Sequence, residues 1–183
     1  MIRPLPSRLG RAMPLWLVLL VALVALVAAG CDQNPPEVKP LVMTDLIAFK
    51  SQPDLVLNNF EGPERDGKGA WRWALGPQAA IYFQSDGAKD YVLLLEAFNP
   101  IPNQTVTLEI NKTPVRTYAG LPVPSWLEHS ISDLLVFRSK PGLNEITLRF
   151  AGWNGHGVTF APGDNRPLAL AVVSLLLYQR PPQ

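Results

Sequence analysis

The sequence predicts an all-β protein, and three observations carry that reading. Apolar residues recur with a period of two: Val106, Leu108 and Ile110 alternate with Thr107, Glu109 and Asn111, and Ile146, Leu148 and Phe150 alternate with Thr147 and Arg149, as in strands with one face buried. Prolines and glycines cut the chain into short pieces at fairly regular spacing, which favours an antiparallel sandwich or barrel. One segment stands outside this pattern: from Ala12 to Cys31 the chain is uncharged and apolar, and it reads as an N-terminal signal or anchor helix.

Residues 1–30 have the layout of a secretory leader. Arg3, Arg8 and Arg11 form a basic start, Leu15 to Val27 an apolar middle, and Ala28-Ala29-Gly30 a small-residue exit before Cys31, the only cysteine of the chain. This arrangement resembles the signal of bacterial lipoproteins, with Ala28 standing where that family most often has leucine. The resemblance implies cleavage before Cys31, lipidation of its thiol with palmitate-like acyl chains, and a protein held on the membrane facing the extracytoplasmic side. The other reading is an uncleaved span, since about 20 apolar residues suffice to cross a bilayer. The exit flank Cys31-Asp32-Gln33-Asn34-Pro35-Pro36 lacks the basic cluster of a stop-transfer segment. Both readings put everything after residue 31 outside the cytoplasm.

Residues 31–40, with Pro35, Pro36 and Pro40, read as an extended tether. Residues 41–183 are then expected to form a single domain. Strands are expected at Leu55 to Leu57, Trp71 to Ala74, Ala80 to Gln84, Tyr91 to Ala97, Val106 to Ile110, Val115 to Tyr118, Leu134 to Arg138, Ile146 to Phe150 and Leu168 to Tyr178. The turns between them are marked by Asn99-Pro100-Ile101-Pro102-Asn103, Asn111-Lys112-Thr113-Pro114, Lys140-Pro141-Gly142 and Pro162-Gly163-Asp164-Asn165. A helical turn is expected only within Val123 to Asp133. Trp71 and Trp73, two apart on one strand, share a face that is expected to pack into the core, with Arg72 on the other side.

Charge and cysteine content exclude several classes. The chain has 16 basic and 15 acidic residues; without the leader's three arginines its balance becomes about −2, and no run of Lys and Arg offers a phosphate-binding face, so no nucleic-acid partner is expected. With its one cysteine assigned to a lipid, the domain has no disulfide and must rely on a hydrophobic core. His129 and His156 have no metal-ligand spacing, and no nucleophile elbow, phosphate loop or dinucleotide fingerprint is present. Glu61, Glu64 and Asp66 lie among Gly62, Pro63, Gly67 and Gly69 and read as an exposed loop rather than a glycosidase pair. No catalytic residue and no cofactor are expected, and the chain reads as a non-enzyme. Asp86 and Asp90 are the one weak candidate for a calcium site.

The succession of Ala70-Trp71-Arg72-Trp73, Ile81-Tyr82-Phe83, the apolar strand Tyr91 to Ala97, the alternating strand Thr105 to Asn111 and the Pro141-Gly142-Leu143-Asn144-Glu145-Ile146 hairpin resembles the jelly-roll sandwiches of carbohydrate-binding modules and galactose-binding-like domains. The resemblance implies an antiparallel β-sandwich of jelly-roll type, in which Gly142 supplies a backbone angle barred to other residues and Asn144 bonds the turn's own backbone. It implies a domain that binds glycans or other envelope polymers. The alternative is an accessory lipoprotein that docks on a membrane partner such as a glycosyltransferase. The candidate ligand residues are Trp153, Asn154 and His156, in the glycine-rich run Gly152 to Gly157, together with Trp126. An aromatic face stacks on the C–H face of a sugar, and a large apolar side chain held on a loop points to binding. The other reading of Trp153 is a lid folded over the end of the sandwich.

Overall fold

The computed structural model describes residues 55–67, 69–125 and 128–180 and the backbone of 43–45; the leader, the tether with Cys31, and Trp126 lie outside the described residues. All regular structure among them is β. The strands are β1 (Met43–Asp45), β2 (Leu55–Asn58), β3 (Glu64–Arg65), β4 (Ala70–Leu75), β5 (Gln78–Ser85), β6 (Asp90–Phe98), β7 (Gln104–Ile110), β8 (Thr113–Leu121), β9 (Ile131–Arg138), β10 (Gly142–Phe150), β11 (Trp153–Asn154), β12 (Gly157–Val158) and β13 (Leu168–Gln179). They form two antiparallel sheets, one in the order β3-β4-β13-β6-β9 with β1 also on β13, the other in the order β2-β5-β10-β7-β8. The short pair β11 and β12 runs parallel. This is the expected jelly-roll sandwich, and every patterned strand is present. The helical turn expected within Val123 to Asp133 is not found among the described residues, and Ile131 already begins β9.

The core lies between the sheets, where alternation delivers one face of each strand. Leu93, Leu95, Leu170, Val172 and Leu175 of the first sheet meet Ile81, Val106, Leu108, Ile146 and Leu148 of the second, all essentially inaccessible to water. At about 25 cal/mol per Å² of apolar surface removed from water, this layer supplies the main driving force for folding. Phe83, Tyr91 and Phe137 close one end, with Tyr91 stacked on Phe137 at 5.8 Å.

Trp71 and Trp73 correct the expectation for their strand. Ala74 takes the core-facing parity of β4, so both tryptophans point away from the interior and form a second cluster with Leu75, Phe98, Phe160, Ala161, Leu168 and Ala171. The segment 159–167 folds over this outer face. Alternation groups 71 with 73, but a strand covered on both sides has two apolar faces, and periodicity does not say which lies between the sheets.

Two turns set the registers. β7 and β8 are joined by Asn111 and Lys112 at φ 50° and 70°, the left-handed pair of the two-residue hairpin whose twist matches its strands. Gly142 has φ 84°. Inside the same loop the fully buried Asn144 accepts from the Lys140 amide (2.9 Å) and donates to the carbonyls of Lys140 (2.8 Å) and Gly142 (3.0 Å). Gly142 and Asn144 thus hold the turn as expected.

Candidate functional site

The loop singled out by its tryptophan is tightly built. Trp153 and His156 exchange backbone hydrogen bonds, and Gly155 and Gly157, at φ 83° and 79°, let the chain reverse there. The Trp153 indole is half-buried, packs on the main core and lies face to face on the His156 imidazole, with ring centres 4.1 Å apart. Its other close neighbour is Gly76: a Cβ on that glycine would come within 2.4 Å of the ring. Asn154 is buried, and its amide donates to the Asp164 carbonyl (2.7 Å) while its oxygen accepts from the Ala161 N–H (3.2 Å). In this arrangement Trp153 seals an end of the sandwich, and Asn154 fastens the segment that covers Trp73.

Glu64, Asp66, Asp86 and Asp90 are likewise engaged. Glu64 accepts from the Trp73 indole N–H (3.2 Å) and from Arg166 (2.6 Å), and Arg166 also forks onto Asp164. That fork holds the Asp164 carboxyl below the usual aspartate range and raises the Arg166 guanidinium above its ordinary value. Asp66 caps its own turn by accepting from the Gly69 N–H. Asp86 pairs with Lys89 and Asp90 with Arg138. Among the described residues no three His, Cys, Asp or Glu side chains converge as a metal site would require. His129 is exposed and remote from these groups in sequence.

A different place offers an open aromatic cavity. In β5, Ile81 and Phe83 face the core, so Tyr82 faces outward, opposite Val56 on β2 and Glu145 on β10. The hairpin residues Asn111 and Lys112, with Lys140 of the β9–β10 turn and Leu143 at the start of β10, complete a hollow of about 330 Å³ around Tyr82 and Glu145. Its walls are braced. Asn111 accepts from the Glu145 N–H (3.0 Å) and donates to Asn144 (3.0 Å), and Glu145 accepts from the Thr147 hydroxyl (2.8 Å). An aromatic ring, an amide, a carboxylate and two ammonium groups therefore border one hollow on rigid strands and tight turns, as polar ligands of specific shape require. A second opening of about 410 Å³ near Asp86 includes Tyr91, but that ring is buried against Phe83 and Phe137. The only signal for the Tyr82 hollow in the sequence was the parity of β5; its other walls come from turns distant in the chain.

No family profile and no curated protein matches this chain. Among solved structures it is similar to a family 35 carbohydrate-binding module from Clostridium thermocellum, at 13% identity and a TM-score of 0.44 over 74% of this chain and 96% of that one. It is also similar to the C-terminal family 6 module of a laminarinase from Zobellia galactanivorans, at 8% identity and a TM-score of 0.39 over 74% and 98%. A third is a cycloisomaltooligosaccharide glucanotransferase from Paenibacillus, at 15% identity and a TM-score of 0.43 over 73% of this chain and 17% of that one.

Proposed function

We propose that the chain is an extracytoplasmic lipoprotein, anchored through Cys31, whose sandwich binds glycans of the cell envelope. The observation that carries the binding half is the Tyr82 hollow, where a phenol ring is bordered by Asn111, Lys112, Lys140 and Glu145. A sugar offers a C–H face for the ring and hydroxyls for the amide and the carboxylate. The two ammonium groups outnumber the one carboxylate, so sugars with acidic substituents are expected to bind best. The anchoring half rests on the leader and on Cys31 in the sequence.

The test of binding is a glycan array probed with the full chain in mild detergent, followed by titration of any hit. Tyr82→Ala is expected to weaken binding at least about tenfold, equivalent to ~1.4 kcal/mol, while Trp153→Ala leaves it unchanged. Loss in Trp153→Ala with retention in Tyr82→Ala would return the site to the glycine-rich loop. Anchoring is tested by mass spectrometry of the protein from its native membranes, where an acylated Cys31 as the first residue is expected.

A further inference from the structure

The outward positions of β5 and β10 are polar at Gln84, Glu145, Thr147 and Arg149; Tyr82 and Leu143 are the large apolar exceptions, diagonal to each other across the strand pair. Val56, opposite Tyr82 on β2, extends the same strip, and it and Leu143 are 57% and 53% exposed. One exposed leucine means little, but three apolar neighbours on a polar face form a patch.

Two charges stand beside that patch. Among the described residues Lys112 and Lys140 have no ion-pair partner, whereas Lys89, Arg116, Arg138, Arg149 and Arg166 each face a carboxylate. Both lysines rise from turns tied together through the buried Asn144, which accepts from the Asn111 side-chain amide (3.0 Å) and from the Lys140 N–H (2.9 Å). The polar groups of the hollow keep free capacity. Asn111 has given one of its two amide hydrogens to Asn144, and Glu145 accepts from the Thr147 hydroxyl through one of its two oxygens.

We infer that the ligand of this hollow is a sugar bearing both an acidic group and an N-acyl group, an inference that rests on the glycan reading of the site. The C–H face of the ring lies on Tyr82 and the acid between Lys112 and Lys140. The acylamido N–H donates to Glu145, its carbonyl accepts from Asn111, and its alkyl end covers Leu143. A neutral, unsubstituted sugar leaves the leucine wet and both ammonium groups unmatched, so it uses only part of what the walls offer. At about 330 Å³ the hollow lies at the lower end of the range for small-molecule sites, which suits one substituted ring rather than a long chain.

Isothermal titration of the full chain, in a mild detergent that contains no sugar, tests this with four matched probes. N-acetylmuramic acid has both groups, N-acetylglucosamine only the acyl, 3-O-(1-carboxyethyl)glucose only the acid, and glucose neither. The wild type is expected to bind the first at least about fivefold tighter than the acid-only probe, through the buried methyl, and about tenfold tighter than the acyl-only probe, through the charge-assisted contact. Leu143→Ser is expected to erase the first preference and keep the second, and Lys140→Gln to reduce the second and keep the first; both side chains are exposed, so the fold is retained. Equal binding of all four probes, or an acyl preference unmoved by Leu143→Ser, overturns the inference while the glycan reading stands. Binding of none of them overturns both.

Discussion

The indole of Trp153 and the imidazole of His156 lie 12° from parallel with centres 4.1 Å apart, so a face that a sugar would need is covered by the chain's own histidine. Trp153→Ala is expected to cost about 2–3 kcal/mol, below the range for a fully buried tryptophan because the ring is half-exposed. His156→Ala removes one stacking partner and is expected to cost under about 1 kcal/mol. Urea denaturation of both variants checks this ordering.

Asn144 makes its turn by bonding both the amide and the carbonyl of Lys140. Asn144→Ala removes the partner of both groups and is expected to cost about 1–3 kcal/mol. Gly142→Ala, at φ 84°, is expected to cost about 1–2 kcal/mol. Denaturation midpoints of the two variants measure both.

Lys112 holds φ 70° in the β7–β8 hairpin, a conformation glycine adopts freely. Lys112→Gly is expected to raise stability by roughly 0.5 kcal/mol, the relief of strain exceeding the added chain entropy. The same change removes an ammonium from the Tyr82 hollow and is expected to weaken binding of acidic glycans. A thermal melt and a titration on one sample separate the two effects.

Arg166 holds the Asp164 carboxyl below its ordinary range. Because that carboxyl titrates lower in the folded chain than in the unfolded one, its contribution to stability is complete above the unfolded value near 3.9 and is lost as pH falls through the folded value. Wild type is therefore expected to lose melting temperature on acidification below about pH 4 more steeply than Asp164→Asn. Melts between about pH 7 and pH 3 decide it.

The Tyr118 hydroxyl donates to Asp133 at 2.8 Å. Its burial, and then that bond, push its pKa well above the ordinary tyrosine value. Here the folded value is raised, so the contribution is complete below the unfolded value near 10 and is lost as pH climbs beyond it. Tyr118→Phe is expected to flatten the alkaline limb of the stability profile above about pH 10, as read by denaturant titration.

The strands and turns were legible because local rules determine them: period-two alternation sets the strands, and Asn111-Lys112 and Gly142 adopt the angles their turns need. What alternation left undecided was which face of a doubly covered strand lies inside, and so Trp71 and Trp73 moved from the core to the outer cluster. The Trp153 loop looked exposed in sequence because its covering partners, Gly76 and His156, include one from 77 positions earlier in the chain. The Tyr82 hollow was hidden for the same reason. Its walls come from β5, the β7–β8 turn and the β9–β10 turn, and only folding brings them together.

The strand formed last in sequence, β13, lies in the middle of the first sheet, with β4 and β1 along one edge and β6 along the other. Without residues 168–179, β4 and β6 have no common neighbour, and the first sheet is left in two pieces. The continuity of the first sheet therefore depends on its last strand, and loss of β13 would separate β4 from β6.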